Sequence, residues 1–117
     1  MALDFHFGEV VDLAAEIARF APGDTVAGRR AETLIKEDRL RVVLVTMQAG
    51  KQLDEHTAPG AITIQTLSGR MIVSAGAQTW ELGAGALIAL DAGVRHAVRA
   101  AEAGAFLLTI AWPRDKS

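Results

Sequence analysis

The sequence predicts an all-β domain, an antiparallel sandwich or barrel, with one short N-terminal helix. Three observations carry this. Beyond residue 30 the apolar residues come in short β-rich runs separated by turn residues. Helical spacing is found once, near the start. The length of 117 residues, half of them hydrophobic, suits one core and not two.

In the first element Val10, Leu13, Ile17 and Phe20 recur at three- and four-residue steps while Glu9, Asp12, Glu16 and Arg19 take the other face, which predicts an amphipathic helix over 10–20. Pro22-Gly23 is the expected stop, because proline is poorly held inside a helix and glycine readily takes the exit conformation. Residues 1–30 thus form a helix and link, 31–113 the β-barrel, and 114–117 a tail after Pro113.

Within the β region, strands are expected near 31–36, 40–48, 52–56, 61–67, 70–75, 78–82, 86–90, 96–101 and 105–111. Turn residues separate them at Glu37-Asp38-Arg39, Ala49-Gly50, Pro59-Gly60, Ser68-Gly69, Gly76, Gly83 to Gly85, Asp91 to Gly93 and Glu102 to Gly104. Strands at this spacing indicate antiparallel layers and not βαβ units. Alternation assigns Leu40, Val42, Leu44, Ile62, Ile64, Leu87, Ala89, Phe106, Leu108 and Ile110 to the inner face. Val43, Val45, Leu107 and Ala111 are apolar as well, so several strands are expected to be covered on both faces, by the helix or by a second subunit.

The composition excludes several functions. A net charge of −2, from 12 basic and 14 acidic residues without a single-sign block, lacks the field of a nucleic-acid binder. With no cysteine, only His, carboxylate and amide oxygen remain as metal ligands. The N-terminus carries acid where a signal peptide needs base, and the apolar runs are too short to span a bilayer, so a cytoplasmic protein without a membrane partner is expected. No Gly-rich loop joins a strand to a helix, and Ser68 and Ser74 lack a nucleophile elbow, which argues against nucleotide binding and serine hydrolysis.

Of the three histidines, His6 lies between Phe5 and Phe7 outside the β region, whereas His56 and His96 each start a strand-like segment after a Gly-bearing turn. Their surroundings resemble the two motifs of the cupin family. The first motif runs Gly, five residues, His-x-His, three or four residues, Glu, six residues, Gly; it is matched by Gly50, His56 and Gly69, with Ala58 for the second His and Ile62 for the Glu. The second runs Gly, five residues, Pro-x-Gly, two residues, His, three residues, Asn; it is matched by Gly85, Gly93 and His96, with Asp91 for the Pro and Ala100 for the Asn. The resemblance covers about residues 40–111 and implies a cupin-like antiparallel β-barrel, a double-stranded jelly roll.

It also implies a site in the barrel, with only His56 and His96 left of the four ligands typical of the family. Two imidazoles hold a divalent metal weakly unless other donors join, so a site without metal is favoured over one taking Mn, Fe, Ni or Zn. Asp54 is a candidate third ligand, because alternation puts it on the face of His56 unless the turn after Gly50 breaks the pattern. Thr66 falls on the inner face with Ile62 and Ile64, and Gln65 joins the site only if a bulge near Pro59-Gly60 shifts the register. Arg95, beside His96, is a candidate contact for an anionic ligand.

The leading expectation is a protein that binds a small organic molecule through His56, His96, Gln65 and Thr66. A metal-dependent isomerase or dioxygenase with His56 and His96 as ligands is the alternative. A dimeric structural or interaction module is the third reading, and a homodimer using the helix and the outward Thr63 and Gln65 is the expected assembly.

Overall fold

The computed structural model describes residues 5–21 and 26–113. One helix, α1 (Leu13–Arg19), is followed by seven strands: β1 (Arg29–Glu37), β2 (Leu40–Met47), β3 (Gln52–His56), β4 (Ile62–Ala75), β5 (Gln78–Gly83), β6 (Leu87–Leu90) and β7 (His96–Ala111). All pairings between these strands are antiparallel. The expected stop at Pro22-Gly23 and the tail lie outside the described residues. Among those described, no helix is long and apolar enough to cross a membrane.

The helix is shorter than its apolar spacing predicts because Asp12 caps it, accepting from the Ala15 backbone N–H at 3.3 Å. At its other end the Phe20 carbonyl accepts from the Thr46 hydroxyl at 2.6 Å, which ties the helix to β2.

Nine expected strands become seven because two pairs are continuous. The turns expected at Ser68-Gly69 and Glu102 to Gly104 are bends inside β4 and β7, and the ladder between them runs through with register shifts from Thr66 to Met71. Each long strand therefore serves two sheets. One holds β1, β2, the second half of β7, the first half of β4, and β6; the other holds β3, the first half of β7, the second half of β4, and β5. At the bends the backbones nearly touch: a Cβ on Gly104 would lie 2.0 Å from the Ser68 carbonyl oxygen. Only glycine permits that approach.

Between the sheets lies the main core, with Val45, Met47, Ile62, Ile64, Met71, Val73, Leu82, Val98, Ala100, Phe106 and Leu108 buried. Outside the first sheet, Phe20, Leu34, Leu44 and Ala105 form a second core with Leu13, Ile17, Leu67 and Leu107. The helix thus covers the outer face of this sheet, which explains why its strands are apolar on both sides.

The inner-face reading holds for Ile62, Ile64, Phe106, Leu108 and Ile110 and fails for two strands. In β2 the barrel receives Val43, Val45 and Met47, while Leu44 pairs with Leu107 under the helix. In β6 Leu87 is 59% exposed, and Ile88 and Leu90, opposite Ile64 and Ile62, pack inward. With apolar residues on both faces, alternation alone could not choose the parity.

Candidate functional site

Two five-residue loops, 57–61 and 91–95, cross between the sheets at one end of the barrel. They are joined where the Gly93 backbone N–H donates to the Ala58 carbonyl at 3.0 Å. At this end β3 finishes with His56 and β7 starts with His96, and the ladder sets these two residues directly opposite each other. Their ring centroids lie 4.3 Å apart with the planes inclined by 59°. Residues forty positions apart in sequence thus share one site.

Each imidazole is oriented by its own strand. Nδ1 of His56 lies 2.8 Å from the Asp54 carbonyl oxygen, and Nδ1 of His96 lies 2.9 Å from that of Val94. A carbonyl can only accept, so each Nδ1 carries the hydrogen and donates it. In the neutral ring the Nε2 then keeps its lone pair, the tautomer that a backbone carbonyl accepting from Nδ1 imposes.

His96 is 2% exposed, and His56 is half-buried. Burial holds the His96 pKa below the usual histidine value; the Val94 carbonyl opposes this, and the neighbouring His56 adds to it. The neutral ring is therefore the favoured form at this position.

Of the remaining expected site residues, Thr66 faces the barrel interior, wholly buried, with its Oγ1 unpartnered. Gln65 is turned away. The ladder runs unbroken from Ile62 to Thr66, so Gln65 pairs with Leu107 on the outer side, beside Thr63. Asp54 is exposed, and the β3–β7 register shifts between Leu53 and His56, breaking the alternation that would have set it beside His56. Its contribution to the pair is the backbone carbonyl.

Ala58 and Ile62, where the motif resemblance sets a His and a Glu, pack in the barrel core. Among the described residues no group of three His, Asp or Glu side chains is gathered as a metal ion requires. The donor set therefore does not fit a full cupin metal centre.

Arg95 is engaged on the outside by Glu55, its Nε and Nη2 donating to one carboxylate oxygen at 3.1 and 3.0 Å. Arg70 likewise meets Glu81 and Glu102 on the surface, and His6 meets Glu37. Trp80 packs against the barrel core, and Trp112 stacks under Arg41 at 4.3 Å. What sequence reasoning missed is the set of backbone oxygens that orient the rings, since carbonyl direction leaves no mark in residue type.

The family model for the cupin domain matches residues 43–111. Solved structures share the architecture. A conserved protein of unknown function from Streptococcus pyogenes is 25% identical, with a TM-score of 0.74 over 91% of this chain and 89% of its own. A cupin superfamily protein from Desulfitobacterium hafniense is 18% identical, with a TM-score of 0.70 over 73% and 78%. KdgF from a Halomonas species is 18% identical, with a TM-score of 0.66 over 79% and 86%. No curated protein matches the chain.

Proposed function

The chain belongs to the cupin family, and on that basis we propose that it binds a small organic ligand at the histidine end of its barrel, without the family's full metal set. The observation that carries this reading is the facing pair of imidazoles with both Nδ1–H groups spent on backbone carbonyls. A neutral ring oriented in this way offers its Nε2 lone pair as an acceptor. The ligand is accordingly one that offers donors, such as a polyol, an amide or an amine, on a small apolar frame. The unpartnered Thr66 hydroxyl adds a further polar atom to the interior.

The test is NMR of the labelled protein, following the imidazole nitrogens during titration with small polyols, amides and amines after chelation. Saturable shifts at both Nε2 atoms, lost in His96→Ala, are expected; no response to any of the three classes overturns the reading.

The same ring orientation favours a second reading. Metal-ligating histidines commonly donate their other N–H to a carbonyl, as these do. A metal-dependent isomerase or dioxygenase would use His56 and His96 with water or substrate in the remaining positions. Elemental analysis separates the two readings: one metal per chain after metal-supplemented purification replaces the first by the second.

For assembly we propose a homodimer through the outer sheet face beside the helix. Thr63, Thr109, Ala89 and Ala111 line a shallow groove there, next to exposed Leu87. Light scattering at micromolar concentration should give twice the chain mass, and a monomer would refute it.

A further inference from the structure

A cavity of about 250 Å³ opens at the edge of the first sheet, away from the histidine pair. It is lined by Thr33, Lys36, Arg41, Val43, Ile110 and Trp112. A register shift between Thr33 and Ile35 brings these residues together. Without it, Thr33 and Lys36, three apart on one strand, would face opposite sides; with it, both stand across from inner-face residues of β2, Thr33 from Val43 and Lys36 from Arg41.

Two cations therefore face each other across the ladder, an arrangement that repels. Among the described residues no carboxylate lines the cavity and neither cation is in an ion pair. Arg41 is nonetheless held in place. Its Nη1 donates to the Glu37 and Leu40 carbonyls, and its guanidinium carbon lies over the Trp112 ring, 4.3 Å from the centroid. A fixed guanidinium edge, an exposed ammonium, a hydroxyl, an indole wall and an aliphatic floor of Val43 and Ile110 make one recognition surface.

We propose that this cavity binds a small organic carboxylate with a flat apolar body. The carboxylate would bridge the Nε–Nη2 edge of Arg41 and the Lys36 ammonium, relieving their repulsion. The body would cover Val43, Ile110 and the edge of Trp112, which an inorganic anion would leave uncovered. The volume lies below the range of about 300–1,000 Å³ usual for drug-sized ligands and so limits the occupant to about one ring. Nucleotides are excluded by size.

The test uses the full chain, labelled with nitrogen-15, titrated with benzoate at constant ionic strength, with neutral benzamide as the shape control. The chain has two tryptophans, so Trp112→Phe assigns the indole N–H signal to be followed. Benzoate is expected to shift the Trp112 signal saturably at millimolar concentration, with benzamide weaker by about tenfold, the worth of one charge-assisted bond. K36Q should weaken benzoate binding several-fold, K36R should restore it, and the K36Q/R41Q pair should abolish saturation. Lys36 is exposed, so its variants fold even if Arg41→Gln does not. No saturable shift, an equal response to benzamide, or unchanged benzoate affinity in K36Q overturns the proposal. His56→Ala should leave this binding intact even where it removes ligand binding in the barrel, which separates the two sites.

Discussion

Two buried threonines mark the contrast between the two cores. Thr46 lies on the helix-covered face, and its hydroxyl donates to the Phe20 carbonyl. Thr66 lies inside the barrel, equally buried, with no partner for its Oγ1. The helix side is close to a finished scaffold; its exception is Glu16, whose Oε1 faces Arg19 at 3.8 Å without a hydrogen bond. The barrel side keeps a polar atom in reserve, the Thr66 hydroxyl. Buried polar groups without partners are costly; Glu16 Oε1 at least faces the Arg19 guanidinium, whereas nothing among the described residues meets the Thr66 hydroxyl, which leaves it available to a ligand.

The largest effect is expected where both cores meet. Gly104→Ala would press a Cβ onto the Ser68 carbonyl and should destabilise the fold by about 4 kcal/mol or more in urea unfolding, since backbone must move. A loss under about 1 kcal/mol would mean that the two strands do not approach so closely. Next comes Leu108→Ala, a cavity in the barrel, expected to cost about 2 to 5 kcal/mol.

The threonines themselves give the sharpest test. Thr46→Val should cost about 1 to 3 kcal/mol, because it strands the Phe20 carbonyl. Thr66→Val should be neutral or slightly stabilising, within about 1 kcal/mol, because nothing loses a bond. Equal losses at the two positions would erase the distinction between scaffold and site.

His96 adds a pH dependence confined to the barrel side. Its pKa is lowered by folding, so between that value and the ordinary 6.5 the unfolded chain binds more protons than the native one. Stability contributed by the neutral ring is present above about pH 6.5 and is lost as the pH falls through the lowered value. Comparing urea midpoints against pH for the protein and His96→Gln should show a shallower acid slope in the variant; parallel curves would contradict the burial of His96.

The success and failure of the sequence reading follow the same physics. The cupin-like barrel was legible because turn glycines and their spacing to His56 and His96 reflect local backbone demands. The parity of β2 and β6 was not, because Val43, Leu44 and Val45 are all apolar, as are Leu87, Ile88 and Ala89, and only packing tells their faces apart. Asp54 misled as a ligand candidate for a related reason. One register shift before His56 reverses the face that alternation assigns, and such shifts depend on the partner strand.

What the sequence determined by itself is therefore the family of fold, the two histidines and the absence of the other motif ligands at Ala58 and Ile62. These are matters of residue type and spacing along one chain. Tertiary structure alone decided that the rings meet, that their Nδ1 atoms turn to backbone carbonyls, that Gln65 faces out, and that Lys36 stands opposite Arg41. Each of these depends on strand register, which is set by contacts between residues distant in sequence and by bulges that shift whole faces at once.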